Sequence, residues 1–201
     1  MSHYFKTDYT IKENKINFTY TFNDQSYTLV SNSGMFSPGH VDYATNILLN
    51  NLPEIKGSLL DLGCGYGIIG IVLSKHNNLS KVTMADSNLR ALECAKENCR
   101  LNNVTAKIIE SDSFSNITEK FDNIVTNPPI HAGKKTLYKM YEEAFEHLYD
   151  KGKLFIVIQK KHGAETTIDK LLTIFNNCTP IYKKKGFYIL CCIKQSSPQS
   201  Q

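Results

Sequence analysis

Apolar and polar positions alternate from Ile16 to Val30 in INFTYTFNDQSYTLV, on either side of Asn23-Asp24. A period of two broken by a turn pair predicts a β-hairpin. The next stretch, SNSGMFSPGHVDYATNILLNNL, changes rhythm. Ser37 before Pro38 predicts a helix start, with serine as N-cap and proline in the first helical position. Val41, Ala44, Leu48 and Leu52 then mark one helical face.

From residue 58 strands and helices alternate. SLLDLGCGYG is a strand running into a glycine loop, and IIGIVLSKH a mostly apolar helix. KVTMAD is a strand. NLRALECAKENCRLNN is a helix with Leu89, Leu92, Ala95 and Cys99 inward. AKIIESD and FDNIVTN are strands. KKTLYKMYEEAFEHLY is a helix burying Leu137, Tyr141, Ala144 and Leu148. GKLFIVIQ is a strand, and AETTIDKLLTIF a helix burying Ala164, Ile168, Leu171 or Leu172, and Phe175. PIYKKKGFYILCCIK predicts two strands around Lys185-Gly186. Strands separated by helices imply a mainly parallel sheet covered on both faces. The closing pair, with no helix between its strands, is expected to be antiparallel. With no internal repeat or linker, one domain is expected over residues 1–195, with a hairpin extension at 1–35, a core at 57–195 and a disordered tail at 196–201.

Composition changes little. The 201 residues are 41% apolar and 21% charged, as in ordinary water-soluble domains. No apolar run is long enough to span a bilayer, and the first residues lack the apolar core of a secretory signal. The six cysteines, Cys64, Cys94, Cys99, Cys178, Cys191 and Cys192, form no C-x-x-C pair and sit mostly in apolar patterns. Packed, reduced thiols in a cytoplasmic protein are expected, and no metal site. The net charge of +4 is nearly all lysine, since Arg90 and Arg100 are the only arginines. That permits a nucleic-acid partner without requiring one.

The chemistry concentrates at strand ends. DLGCGYGIIG places Gly63, Gly65, Gly67 and Gly70 between a strand and a helix, the context in which backbone N–H groups cradle a ligand. Asp86 ends the next strand, where a carboxylate can accept from a ribose diol. Asp61, just before the loop, is unhelpful beside a pyrophosphate but can face an ammonium, directly or through water. Thr126-Asn127-Pro128-Pro129 stops a buried strand. Two prolines can neither donate to a ladder nor continue a helix, so Asn127 is presented rigidly at the strand tip.

DLGCGYG, the acid of MAD, the acid of ESD and TNPP resemble, in order and spacing, the class I S-adenosylmethionine-dependent methyltransferases. The resemblance covers roughly residues 57–195. SGMFS, NPPIHAGK and IQKKHGA narrow the resemblance to the single-domain relatives of ribosomal RNA small-subunit methyltransferase C, which methylate N2 of a guanine. It implies a Rossmann-like α/β fold: a seven-stranded, mainly parallel sheet with a C-terminal antiparallel hairpin and helices on both faces. The implied cofactor is S-adenosylmethionine, held by Asp61, Gly63, Cys64, Gly65, Gly67, Asp86, Ser87, Asp112, Ser113, Phe114 and Asn127. Asp86 takes the ribose, and Asp112 with the Ser113 and Phe114 backbone takes the adenine edge. Asn127 and Pro128 are the implied catalytic pair, holding an amine through the side-chain oxygen and the carbonyl. Pro129, Ile130, His131, Lys134, Lys160 and Lys161 are candidates for contact with RNA, the expected partner. Relatives acting on adenine N6 or glutamine usually carry an aromatic residue where Ile130 stands, which disfavours those substrates here. No role is carried over to His162. Phe36 and Tyr66 are expected near the mouth, and Lys183, Lys184 and Lys185 as solubilising edge charge. The competing readings are methylation of another amine, a cofactor-binding module without catalysis, and a nicotinamide dehydrogenase that would leave the N-P-P motif unexplained.

Overall fold

The computed structural model describes residues 10–195. The expected tail, 196–201, lies outside them. Strands β1 (Lys15–Phe22) and β2 (Gln25–Asn32) form the expected hairpin. Both central residues of its turn, Asn23 and Asp24, have positive φ (45° and 62°). This twist matches the flanking strands, and Asn and Asp tolerate it better than other side chains.

The remaining strands make one seven-stranded sheet: β3 (Gly57–Leu62), β4 (Leu79–Asp86), β5 (Lys107–Glu110), β6 (Phe121–Thr126), β7 (Leu148–Gln159), β8 (Thr179–Lys184) and β9 (Phe187–Ile193). Their spatial order is β5-β4-β3-β6-β7-β9-β8. The pairs from β5 through β7 are parallel, and β9 runs antiparallel to both β7 and β8. The chain first builds outward from β3 to β5, then returns to place β6 on the other side of β3. The crevice at that reversal is where open α/β sheets bind ligands.

Period-two patterning sends alternate side chains into two apolar layers. Leu59, Val125, Phe155 and Val157 join α1 (Tyr43–Asn51), α2 (Ile68–His76) and α3 (Leu89–Leu101) on one face. Leu60, Ile124, Leu154 and Ile156 join α4 (Lys134–Glu146) and α5 (Ala164–Phe175) on the other.

Several local expectations need correction. Helix α1 begins at Tyr43, not beside Ser37 and Pro38. Asp42 is its N-cap, accepting from the backbone N–H groups of Ala44 (3.0 Å) and Thr45 (3.1 Å). Ser37 instead has φ +51° and turns its hydroxyl onto the His40 carbonyl, and Gly39 follows at φ +80°. Two left-handed residues in three cannot open a helix. Thr45, Ile47, Leu48 and Leu49 form the buried face of α1, while Val41, Ala44 and Leu52 are half-buried. Leu89, the first residue of α3, is exposed. Helix α4 stops at Glu146, so Leu148 is buried as the first residue of β7. Of the pair Leu171 and Leu172, the former is buried and the latter exposed.

One side chain ties the hairpin to the sheet layer. Asn98, buried on α3, accepts from Val30 N–H (2.7 Å) and donates to the carbonyls of Val30 (2.9 Å) and Tyr66 (2.9 Å). It satisfies hairpin backbone on one side and the glycine loop on the other. Asn98→Ala leaves these buried groups unpaired and is expected to cost about 2–3 kcal/mol of stability. Urea unfolding checks this, and a loss under about 0.5 kcal/mol would show that water replaces the amide.

Candidate active site

The carboxyl ends of five parallel strands open on one cavity of about 730 Å³. Its walls come from the segments around the ends of β3, β4, β5, β6 and β7, with Met35 and Phe36 from the loop after the hairpin, Asp42, Ala44 and Thr45 from the start of α1, and Phe187 from β9.

The glycine loop lies over the end of β4. Gly63 and Cys64 both donate to the Ala85 carbonyl (2.8 and 3.0 Å). Gly65 donates to Asp86 Oδ2 (2.8 Å), and Asn88 N–H donates to Asp86 Oδ1 (2.8 Å). The turn needs positive φ at Gly63 (71°) and Gly65 (55°), and a Cβ at either would project into open space. A ligand can therefore approach that backbone closely. Gly67, also left-handed (φ 87°), serves packing as well: a Cβ there would stand 3.2 Å from Ala95 and Met84. It is not part of the cavity wall. Burial pushes the Asp86 carboxyl above its ordinary range, opposed by N–H groups of Asn88, Gly65 and Ser87. Each anchored oxygen keeps a further lone pair for a ligand hydroxyl.

Asp61 departs from expectation. It is fully buried beneath the loop and absent from the cavity wall, so it makes no direct contact with the space above. Oδ2 accepts from Gly70 N–H (2.9 Å), while Oδ1 is buried without a partner. Burial raises its pKa to about 7, with the Gly70 N–H opposing and nearby Asp86 adding to the rise. As it ionises, this acid adds negative potential from beneath the loop, which favours a ligand bearing an ammonium above it over a pyrophosphate. The residues present thus fit S-adenosylmethionine better than a dinucleotide.

Ser87, Asp112 and Ser113 stand in the wall, Asp112 exposed and Ser113 held by its hydroxyl to Glu143 (2.8 Å). Phe114 does not; its ring is buried, stacked on His147 with centroids 4.5 Å apart. Asn127, Pro128, Pro129, Ile130 and His131 line the opposite end. After the prolines the chain makes a 3₁₀ turn, Ile130–Ala132, closed by Ala132 N–H on the Pro129 carbonyl (2.9 Å). Lys134, Lys160 and Lys161 are exposed beside the mouth rather than in its wall. Phe36 and Tyr66 both line it, the former 55% exposed and the latter tied by its hydroxyl to the His40 carbonyl (3.0 Å).

Sequence reasoning missed the support of Asn127. Its Nδ2 donates to Asp42 Oδ1 (3.3 Å) and Thr45 Oγ1 (3.1 Å), at the start of α1. A carboxylate accepts only, so the NH₂ group must face it and the amide oxygen must face away. That oxygen has no partner among the described residues. The signal was an Asp directly before α1 and three residues ahead of its first buried residue, Thr45, masked by the stronger Ser37-Pro38 pair. His162 was also missed as a wall residue. Its ring meets His131 edge-on at 5.9 Å, and its pKa is lowered by burial, then by Lys161 and His131.

Among the described residues, no group of three His, Cys, Asp or Glu side chains could hold a metal, and no helix is long and apolar enough to cross a membrane.

The methyltransferase small domain family matches residues 26–191. Protein YbxB of Bacillus subtilis (strain 168), itself described as uncharacterized, is 41% identical over 193 residues, covering 94% of this chain and 96% of its own. Ribosomal RNA small subunit methyltransferase C of Aeromonas hydrophila is 44% identical over 138 residues, covering 67% of this chain. This chain spans only 40% of that relative's length. Among solved structures, the T. thermophilus 16S rRNA N2 methyltransferase in complex with AdoMet and guanosine superposes with a TM-score of 0.81 at 26% identity, covering 90% of this chain and 51% of its own.

Asp61 yields a pH prediction for the protein without ligand. The folded state holds this proton to about pH 7, whereas the unfolded chain releases it near the ordinary value of 3.8. Its stabilising contribution is full below that lower value and is lost as pH rises toward 7. Asp61→Asn keeps an acceptor for Gly70 and stays neutral. Its Tm is therefore expected to exceed that of wild type by a few degrees at pH 8 and to converge with it near pH 4.5. Parallel Tm curves across that range would refute an uncharged Asp61.

Proposed function

The chain belongs to the methyltransferase small domain family and is an S-adenosylmethionine-dependent methyltransferase, and from that premise we propose that it methylates the exocyclic N2 amine of a guanine in ribosomal RNA. The observation that carries this reading is the oriented amide of Asn127. Its nitrogen is committed to Asp42 and Thr45, which leaves its oxygen as the free acceptor of a residue that lines the cavity.

An exocyclic amine on a base is a poor nucleophile, because its lone pair is delocalised into the ring. When bound, S-adenosylmethionine supplies an electrophilic methyl group. Asn127 Oδ1 and the Pro128 carbonyl accept the two amine hydrogens, hold the nitrogen in line, and stabilise the positive charge that develops on it. Neither strong base nor covalent intermediate is required, and the proton leaves afterwards to water. The two prolines fix both acceptors with little entropy left to lose. In this reading Asp86 takes the ribose diol, Gly63, Cys64 and Gly65 border the amino-acid end, and Ser87, Asp112 and Ser113 border the adenosine. Asp61 acts through α2, accepting from its Gly70 N–H. Ile130 leaves room beside the prolines without offering an aromatic face, which favours guanine N2 over the amines of adenine and glutamine. The relatives named for ribosomal RNA methylation support the substrate class, as does the guanosine named in the T. thermophilus complex.

Mass spectrometry of ribosomal RNA nucleosides from cells with and without the gene tests the substrate. Loss of N2-methylguanosine is expected, and an unchanged nucleoside profile would move the activity to another amine. Two variants test the roles. Asn127→Ala is expected to keep the fold and most cofactor affinity while slowing single-turnover methyl transfer roughly 100- to 1000-fold, about 3–4 kcal/mol. Wild-type turnover in that variant would reduce the N-P-P segment to a strand terminator. Asp86→Ala is expected to weaken cofactor binding by about 1.5–3 kcal/mol in calorimetry. It should also lower Tm, since the N–H groups of Gly65 and Asn88 lose their acceptor. Full affinity in the folded variant would place the ribose elsewhere.

A further inference from the structure

Six lysines flank residues that line the cavity, namely Ala132, Thr136, Gln159, His162 and Phe187, and several occupy positions where local structure disfavours them. Lys134 and Lys135 open α4, a helix with no acidic residue in its first turn. Cations at that end oppose the helix dipole. Lys160 and Lys161 begin the 3₁₀ turn that follows β7. Lys184 and Lys185 close the β8–β9 hairpin, where Lys185 (φ 51°) and Gly186 (φ 75°) form the turn. Left-handed φ favours Asn or Asp over lysine at that position. The protein's other hairpin uses Asn23 and Asp24 there.

The fold brings the hairpin to the mouth. Lys160 N–H donates to the Gly186 carbonyl (2.7 Å), and Gln159 and Phe187 are register partners. Phe187 lines the cavity and packs edge-on against Tyr43 with centroids 5.3 Å apart. Lys184 is the direct partner of Phe187 across β8 and β9, so the two share a face. Lys183 lies on the other face, its ammonium 4.7 Å from the centre of the Tyr188 ring. Protection of the β8 edge explains Lys183 and the strand position of Lys184. It does not explain lysine in the turn. All six rim lysines are exposed, and none forms an ion pair among the described residues, whereas Lys15, Lys81, Lys107 and Lys170 each do.

We propose that the β8–β9 turn is a phosphate-binding lip: Lys184 and Lys185, beside Lys160 and Lys161, grip the backbone of a single-stranded RNA segment whose central base enters the cavity. Lys134 and Lys135 hold the strand on the other side of the mouth. The two sides meet where the His131 and His162 rings touch. This rests on the reading of RNA as substrate. It reassigns the β8–β9 lysines from solubility to recognition. Flexible ammonium groups suit a backbone path that varies with sequence, since they read charge rather than base identity.

The test uses the full chain carrying Lys184→Thr and Lys185→Asn together. Threonine suits the strand and asparagine suits the left-handed turn, so folding is expected to be unimpaired. Fluorescence anisotropy with a short labelled single-stranded RNA, from about 50 to 200 mM salt, reads affinity and its salt slope. The expected result is about tenfold weaker binding at the lower salt, with a slope reduced by about 1.4, two single-strand phosphate contacts. Cofactor affinity should be unchanged. Equal affinity and slope in variant and wild type overturn the lip and leave the methylation reading standing. Wild-type protein that binds no RNA overturns the lip as well. Weakened binding without guanine methylation by the wild type sustains the lip and defeats the methylation reading. A double variant that aggregates while its soluble fraction binds RNA normally returns these lysines to edge protection.

Discussion

The carboxylate of Asp42 joins the start of α1 to the tip of β6, and the geometry of the cleft follows from that junction. The same oxygen accepts from the backbone of Ala44 and Thr45 and from the amide of Asn127. An N-cap would exist without Asn127, and a proline-terminated strand would exist without Asp42. Together they fix which way the amide points. The double proline removes backbone freedom, and the helix cap removes the remaining rotation of the side chain. An acceptor held this way needs little reorganisation to meet a donor.

The opposite wall is held by the same principle applied to backbone. Asp86 holds the glycine loop through Gly65 and the start of α3 through Asn88. Asp61 holds α2 from below through Gly70, and Asn98 reaches the loop at Tyr66 while binding the hairpin at Val30. The loop is thus tied on three sides, and the N-terminal hairpin becomes part of the cleft's support. One consequence is a buried, unpartnered oxygen on Asp61, whose carboxyl burial holds well above its ordinary range.

Period-two and helical patterns are local signals, and the hairpin, the strand–helix alternation and the antiparallel close are legible from them. The glycine loop, Asp86 and the N-P-P segment are legible because each sits where a strand must end. What escaped the sequence depends on long-range neighbours. Ser37-Pro38 carries a stronger helix-start signal than Asp42, but the left-handed φ at Ser37 and Gly39 removes it. Asp61 reads as a ligand because its burial appears only once α2 lies over it. Leu148 fits the helical period of α4 yet belongs to β7, beside Phe121. Lys184 and Lys185 read as surface charge until the β8–β9 register sets Lys184 opposite Phe187, a cavity residue, and His162 has no signal of its own.

In the proposed mechanism the α1 cap orients Asn127 for methyl transfer, and variants that leave Asn127 in place test this. Asp42→Gly keeps a tolerated N-cap residue at a cost of a few tenths of a kcal/mol, and Thr45→Val removes the second acceptor without changing shape. Single-turnover methyl transfer by the double variant, at saturating cofactor, should be slowed at least about tenfold, the scale on which small misplacements of a positioned group act. Cofactor affinity should be preserved. A rate equal to that of wild type would show that Asn127 needs no support from α1, and the account of the cleft would fail at its first link.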